Sequence, residues 1–208
     1  MMEIPGGRAP IVAGVLVGGA SRRMGRAKAL AELGGRALAE RVAAAVATVA
    51  EEIVLLGDGP VPDSLAGLAR LADRAAVGGP LGAALAALAA RPDRAWLLVA
   101  CDQGLASPAA CAWLVAERAP ERIAILPRRS PAGVEPLLAI YEPAARAALE
   151  GLLAAGGRSL QALAALPGVA TPAPPSGLAE AWTSIDDPAT LAALERRWAG
   201  VKSATDPA

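Results

Sequence analysis

The chain has 208 residues, enough for one large domain or two small ones, and 54% of them are hydrophobic, which is typical of a folded globular protein. Twenty acidic residues balance twenty basic ones, so no overall field draws the chain to nucleic acid or to a membrane surface. The sequence contains no histidine, which excludes a Ser-His-Asp triad, a Cys-His dyad and every histidine-ligated zinc site.

The first predicted strand runs directly into a basic, glycine-rich loop, in the stretch IVAGVLVGGASRRMGRAKAL at 11–30. The apolar run at 11–17 predicts a strand that is buried on both faces. Four interpretations of the stretch compete: a signal peptide, a phosphate-binding loop, a catalytic serine turn and a basic surface loop. Arginines directly after the apolar run oppose export, and Ser21 has no histidine to activate it. Phosphate binding and a solvated basic loop both remain open.

Further elements follow with short connections. A helix is predicted at 35–50, a strand at 51–56, a short helix or a helix-strand pair at 64–72 and a helix opened by Gly-Gly-Pro at 78–80. The middle of the chain has a strand at 95–101, a helix at 107–118 capped by Ser107, a strand at 122–127 and an apolar segment able to pair as a strand at 134–141. Helices at about 143–155 and 158–165, a proline-rich loop at 167–177 and a last helix at 188–199 complete the prediction.

This alternation of strands and helices predicts an α/β three-layer sandwich with a mainly parallel, Rossmann-like sheet. We expect a single domain over 1–199 and a flexible tail at 200–208. Cys101 and Cys111 have no metal-ligand spacing and are expected to be buried, reduced thiols, which favours a cytoplasmic protein. No membrane span is expected, because the longest uncharged stretches are interrupted by glycine or proline.

A single carboxylate, Asp102, directly follows the second strongly apolar strand, in the segment VACDQ. Ligands of open parallel sheets bind beyond the carboxyl ends of the strands, where the loop after residue 17 also lies. At that position Asp102 could cap a helix, contact a ribose or bind a metal ion. The combination with a phosphate-binding loop favours Mg²⁺, which takes one or two carboxylates together with substrate phosphates.

The motifs and their order resemble one family. LVGGASRRMGRAK at 16–28 is similar to the pattern L-x-[AG]-G-x-S-x-R-M-G-x-x-K of the nucleotide-sugar-type nucleotidyltransferases, and within that group the sequence most resembles the MobA-like molybdenum cofactor guanylyltransferases. The resemblance continues through GGPLGAAL, VACDQ, VEPLLAIY and WTSIDDPATL, and spans residues 12–195. It implies the fold of the nucleotide-diphospho-sugar transferases.

The resemblance also implies roles for individual residues. Arg23, Lys28 and Asp102 would be the catalytic residues, with Arg23 and Lys28 on the triphosphate. Asp102 and Asp186 would bind Mg²⁺, the expected cofactor. The nucleotide would contact Leu16, Val17, Gly18, Gly19, Lys28, Asp73, Gly79, Pro80, Leu81 and Asp102, with Gly19 leaving room for a purine.

Four positions depart from the family pattern. Gly104 stands where the aspartate motif usually has proline, and Ala27 stands where many relatives have aspartate before the lysine. In the last motif, Ser184 and Asp186 replace two asparagines, although an aspartate is itself able to bind a metal ion.

The resemblance implies transfer of GMP from GTP to Mo-molybdopterin. Two alternatives are a cytidylyltransferase that uses CTP with the same acceptor, and a domain that binds a nucleotide or cofactor without turnover. Cytidylyl relatives usually have Ala-Gly where this chain has Gly18-Gly19. The expected partners are the two substrates, with a molybdoenzyme or an insertion chaperone as a candidate protein partner, and neither nucleic acid nor a membrane. The expected state is a monomer or a weak oligomer.

Overall fold

The computed structural model describes residues 8–18, 24–25, 27–72, 77–130 and 133–205. The described strands are β1 (Ile11–Leu16), β2 (Glu32–Leu33), β3 (Arg36–Ala37), β4 (Glu52–Leu56), β5 (Ala69–Leu71), β6 (Ala95–Ala100), β7 (Ala124–Ile125), β8 (Ala139–Tyr141) and β9 (Val169–Ala170). The α-helices are α1 (Leu38–Val46), α2 (Gly79–Ala90), α3 (Pro108–Ala116), α4 (Ala145–Ala154) and α5 (Pro188–Thr205). Short 3-10 helices cover Lys28–Leu30, Asp63–Leu65, Leu160–Ala165 and Ser176–Trp182.

Seven strands form one sheet in the order β5-β4-β1-β6-β8-β7-β9. The first four are parallel to one another, β8 is antiparallel to both β6 and β7, and β9 is parallel to β7. The central strand β1 pairs with β4 on one side and with β6 on the other. The prediction of a mainly parallel sheet is confirmed.

Helices cover both faces of this sheet. Alternate residues of β1 point to opposite faces, so that Ala13 and Val15 pack in one core with α1 and α3, whereas Val12 packs in a second core with α2 and α4. Both cores are built from buried aliphatic side chains on the sheet and on the helices that cover it, together with Trp182 in the first core and Trp96 and Tyr141 in the second. The predicted three-layer α/β sandwich is therefore confirmed.

Several local predictions are confirmed as well. Ser107 caps α3, because its Oγ accepts a hydrogen bond from the backbone N–H of Ala110 at 3.2 Å. Cys101 and Cys111 are buried, free thiols. Across the described part of the chain, the structure contains no helix that combines the length and the apolarity needed to cross a bilayer.

The helix predicted at 35–50 is wrong at both ends. Gly34 and Gly35 have φ values of 65° and 74°, which turn the chain so that β2 and β3 pair as a short antiparallel hairpin before α1 begins at Leu38. The proline-rich loop at 167–177 also contains a short strand, β9, which pairs with β7. The last helix continues to Thr205, six residues past its predicted end. The domain limit at 199 stays a prediction.

The hairpin and α5 hold each other in place. The backbone N–H of Gly34 donates to Glu195 Oε1 at 2.8 Å, and the guanidinium carbon of Arg41 lies 4.2 Å from the centre of the Trp198 ring. A Cβ added at Gly34 would lie 2.5 Å from Trp198 Nε1, whereas one added at Gly35 would meet no atom within 4 Å. The α5 helix therefore packs directly on the turn of the hairpin.

This packing predicts different costs for alanine at the two glycines. Both substitutions place a Cβ at positive φ, which costs about 1 kcal/mol. In Gly34→Ala the free energy of unfolding should fall by about 1–3 kcal/mol more, because the new methyl group overlaps the Trp198 ring. Urea unfolding of the two variants measures the difference, with Gly35→Ala as the matched control. Equal losses would show that α5 does not pack on the turn in solution.

Candidate active site

A cavity of about 360 Å³ opens beyond the carboxyl ends of β1 and β6. Open parallel sheets bind their ligands at this edge, because the loops that follow neighbouring strands diverge there. The cavity is lined by Leu16, Val17, Gly18, Ala27, Lys28, Ala29, Leu56, Gly59, Pro60, Gly79, Pro80, Ala100, Cys101, Asp102 and Leu137. The lining combines backbone groups, small apolar side chains, one ammonium group and one carboxylate.

The floor of the cavity is an extension of the sheet. The Cys101 N–H donates to the Leu16 carbonyl at 3.0 Å, and the Val17 N–H donates to the Leu56 carbonyl at 2.9 Å. Gly59 presses against this segment from the side, since a Cβ placed on it would overlap the Val17 carbonyl oxygen and lie 2.7 Å from the carbonyl carbon. These contacts fix the backbone of Val17 at the cavity floor.

Three charged side chains from distant parts of the chain meet at the cavity. Lys28 lies on the 3-10 helix after the glycine-rich loop, Asp102 follows β6, and Asp186 precedes α5. The Lys28 ammonium donates to Asp102 Oδ2 at 2.8 Å and also to Asp186 Oδ1. The backbone joins the two aspartate segments, because the Ile185 N–H donates to the Asp102 carbonyl at 2.9 Å.

Burial and charge act against each other at this cluster. Burial is the largest influence on Asp102 and raises the pKa of its carboxyl group above the usual value, and the neighbouring Asp186 adds to the rise, although Lys28 opposes it. For Lys28, burial lowers the pKa, but hydrogen bonds and attraction from both carboxylates outweigh it and leave the pKa above its ordinary value. Lys28 is therefore fully charged at neutral pH and compensates the two acidic side chains.

The oxygen atoms of this cluster fit a hard divalent cation. Asp102 Oδ1 is buried and has no hydrogen-bond partner among the residues that the structure describes. Asp186 is more open, with 47% of its side chain exposed, against 15% for Asp102. Within the described ranges, no third acidic, cysteine or histidine side chain completes a metal-binding group. Two carboxylates suit Mg²⁺, which usually keeps several waters and takes further oxygen ligands from substrate phosphates.

The structure brings together most of the described residues that the sequence singled out. Leu16, Val17, Gly18, Lys28, Gly79, Pro80 and Asp102 all line the cavity, and Asp186 reaches it through Lys28. Leu81 lies one residue further into α2, and its side chain is buried in the core between that helix and the sheet. Gly19, Arg23 and Asp73 lie outside the described residues. The roles assigned to all of these residues stay predictions.

Sequence reasoning missed one wall of the cavity. Gly59 and Pro60 belong to the Gly-Asp-Gly-Pro turn after β4, and β4 ends at the same edge of the sheet as β1. The carboxyl-end rule applied to β4 would have identified this turn. On the opposite wall, Leu137 lies in the VEPLLAIY motif, but that motif does not indicate which of its apolar residues faces the cavity.

Comparison with known proteins decides the family. The model of the MobA-like NTP transferase domain matches residues 13–169, which is three quarters of the chain. The chain belongs to the MobA-like NTP transferase family. The activity of this family is nucleotidyl transfer from a nucleoside triphosphate.

Individual relatives agree with this family. A protein of Pelotomaculum thermopropionicum described as a "probable molybdenum cofactor guanylyltransferase" is 34% identical over 141 residues, which cover 68% of each chain. A "molybdenum cofactor biosynthesis bifunctional protein" of Synechocystis is 30% identical over 70% of this chain and 44% of its own length. The crystal structure of molybdopterin-guanine dinucleotide biosynthesis protein A from Archaeoglobus fulgidus has a TM-score of 0.71 at 23% identity, over 91% of this chain and 99% of that one. This last similarity shows the fold.

The contact between Gly59 and the floor of the cavity can be tested by substitution. Gly59→Ala should destabilise the protein by about 1–3 kcal/mol, because the added methyl group overlaps backbone atoms of Val17 that cannot rotate away. Gly67→Ala is the control, since a Cβ there meets nothing within 4 Å and should be neutral or slightly stabilising. Urea unfolding measures both. Equal stability of the two variants would contradict the described packing.

Proposed function

We propose that the protein is a molybdenum cofactor guanylyltransferase, which transfers GMP from GTP to Mo-molybdopterin and releases pyrophosphate. The observation that carries the proposal is the meeting of Lys28, Asp102 and Asp186 at a cavity whose floor is the backbone of Leu16–Gly18. The similarity to the Pelotomaculum protein supports the guanylyl and molybdenum cofactor assignments.

The proposed reaction brings two anions together. A terminal phosphate oxygen of molybdopterin attacks the α-phosphorus of GTP, a new P–O bond forms, and the bond to the bridging oxygen breaks so that its electron pair leaves with pyrophosphate. A phosphate oxygen is already nucleophilic, so no protein base is needed, in keeping with a sequence that contains no histidine. Catalysis of this kind rests on positioning and on neutralising charge.

Each residue then has a defined task. The backbone N–H groups after β1 would hold the nucleotide, and Lys28 would bind the triphosphate and stabilise the charge that develops on pyrophosphate. Asp102 and Asp186 would hold Mg²⁺, which supplies charge neutralisation between the phosphates. Arg23 is proposed to add a second cation on the triphosphate. The proposed setting is the cytoplasm.

The base specificity rests on Gly18 and Gly19. A Cβ added at Gly18 would lie 3.7 Å from Gly57 Cα, an ordinary contact, so the fold itself leaves room for alanine at this position. Packing therefore does not require glycine at position 18, which supports a role of this position in the choice of base, beside Gly19, which would leave room for a purine. A cytidylyltransferase, whose relatives usually carry Ala-Gly here, is the second candidate, and nucleotide binding without turnover is the third.

The first test is thermal stability with GTP, CTP and ATP, each with and without Mg²⁺. A ligand present at 100 times its dissociation constant adds about 2.7 kcal/mol, which should raise the melting temperature of a domain of this size by roughly 5–10 °C. A shift selective for GTP with Mg²⁺ is expected. A shift selective for CTP would replace the guanylyl proposal with the cytidylyl one, and no shift with any nucleotide would contradict both.

The cluster of Lys28, Asp102 and Asp186 predicts that removing the lysine and removing a carboxylate change the metal affinity in opposite directions. Lys28→Met removes the cation between two carboxylates, so the nucleotide-free protein should bind Mn²⁺ about fivefold or more tightly while its affinity for GTP falls. Asp102→Asn should weaken Mn²⁺ binding and lower turnover by about two to four orders of magnitude. Electron paramagnetic resonance with Mn²⁺ measures the metal affinity.

A matched control for the lysine substitution is Arg197→Met, which removes a cation from an exposed pair with Glu180. It should leave Mn²⁺ binding unchanged. If Lys28→Met bound Mn²⁺ no more tightly than the wild type, the two carboxylates would not form the proposed metal site.

A further inference from the structure

The sheet opens between β6 and β8 where the cavity begins. The antiparallel register pairs Leu98 with Ala139, and its continuation would place Ala100 opposite Leu137. That pair does not form, because Leu138 turns the chain away with a φ of 53°. Leu138 is the one non-glycine residue with positive φ in the described part of the chain, a conformation that disfavours ordinary side chains.

The side chain of Gln103 fills this opening. Its Oε1 accepts a hydrogen bond from the Ala100 N–H at 3.1 Å, and its Nε2 donates to the Leu137 carbonyl at 3.3 Å. The side-chain amide therefore takes the place of a backbone rung between the two residues that the register would pair. Gln103 is 2% exposed, so both of its hydrogen bonds lie away from solvent.

The bridged residues belong to the proposed site. Ala100 and Leu137 both line the cavity, and Gln103 directly follows Asp102. The turn that presents Asp102 is closed by the same residue, because the Gln103 N–H donates to the Ala100 carbonyl at 3.1 Å and the Ala106 N–H donates to the Gln103 carbonyl at 2.8 Å. The backbone and the side chain of Gln103 thus fix the position of Asp102 in the turn after β6.

A second hydrogen bond fixes the other side of the opening. The Trp182 Nε1–H donates to the Leu138 carbonyl at 2.8 Å, and Trp182 is buried. Three residues later, the Ile185 N–H bonds the Asp102 carbonyl. The end of β6, the turn at Leu138 and the segment before Asp186 therefore form a closed ring of hydrogen bonds, which Gln103 completes.

We propose that Gln103 is a positioning residue that holds the end of β6 apart from the chain before β8 and thereby sets the place of Asp102 beside Lys28. The inference rests on the proposed function, in which Asp102 and Lys28 act on the nucleotide. Without the amide, the Ala100 N–H and the Leu137 carbonyl, both in half-buried residues, would lose this hydrogen-bond partner, and the two segments would shift to replace it.

Gln103→Met tests the inference, because methionine has a similar length but makes neither hydrogen bond. Pyrophosphate release with GTP and molybdopterin should show kcat lowered about tenfold or more, since small misplacements of reacting groups are costly. The KM for GTP should stay within about threefold, because the β1 loop and α2 that contact the nucleotide are untouched. Gln161→Met is the control, since Gln161 also donates to a backbone carbonyl, that of Val134 at 3.2 Å, outside the cavity lining.

A thiol reagent gives a readout that does not depend on activity. Cys101 directly follows β6 and is buried, with 6% of its surface exposed, so it should react slowly in the wild type. Gln103→Met should speed its modification about tenfold through local opening, while Cys111 in α3 stays protected. Gln161→Met should change neither rate.

The outcomes separate the two proposals. Unchanged kcat together with unchanged Cys101 reactivity in Gln103→Met would overturn the positioning role, even if the variant melts at a lower temperature. Equal acceleration at Cys101 and Cys111 would also overturn it, because the effect would then be a general loss of stability. If the wild type releases no pyrophosphate with any nucleotide, the proposed function fails, and the selective reactivity of Cys101 alone decides the role of Gln103.

Discussion

The Lys28 ammonium between Asp102 and Asp186 is the interaction on which the site depends. Two carboxylates that share a partly buried place repel each other, and that repulsion is stronger than in water because the local dielectric constant is lower. A cation between them turns the repulsion into two attractive contacts. Since Asp102 and Asp186 lie 74 and 158 positions after Lys28 in the sequence, these contacts also connect the start, the middle and the end of the domain.

Apolar packing also joins the segment that carries Lys28 to the segment that carries Asp186. A small core separate from the two large ones contains Met24, Ala31, Leu33, Leu38, Ile185 and Leu191. It lies beneath the segment that carries Lys28 and the segment that carries Asp186, so movement of one segment disturbs the packing of the other. The short hairpin belongs to this core through Leu33. The apolar packing and the ion pairs thus position the same two segments, the one that carries Lys28 and the one that carries Asp186.

The sequence was sufficient for the parts of the structure that depend on local patterns. The apolar runs at β1 and β6 predicted two buried strands, which the structure shows to be neighbours in the sheet, and the strand-end rule placed Asp102 at the cavity. The basic loop already indicated Lys28 as a phosphate-binding candidate, but Asp186 could be assigned only through the family resemblance, because no pattern in the residues shows that positions 158 apart will meet. The helix predicted at 35–50 exists, but its predicted start was wrong because Gly34-Gly35 turn the chain into a hairpin, on which α5 packs through Trp198 at Gly34.

Gln103 shows why other parts could not be predicted. Its importance in the structure comes from the register of β6 against β8 and from the turn at Leu138, neither of which can be read from single residues. In the sequence, Gln103 is a polar residue after an aspartate and resembles a solvated turn. Only the pairing of distant strands shows that its side chain is buried and bonded at both ends.

Two departures from the family pattern, at positions 104 and 186, are compatible with this structure because each has a local compensation. Proline is usual at position 104, yet a Cβ there would lie 2.5 Å from Leu38 Cδ2, so the small core requires glycine. Asparagine is usual at position 186, and aspartate adds a negative charge, which Lys28 balances directly. Asp186 is also the more exposed of the two acidic side chains, so its extra charge carries the smaller desolvation cost. The altered residues therefore preserve the arrangement of the cavity, and the substitution at 186 increases the number of carboxylate oxygens beside it.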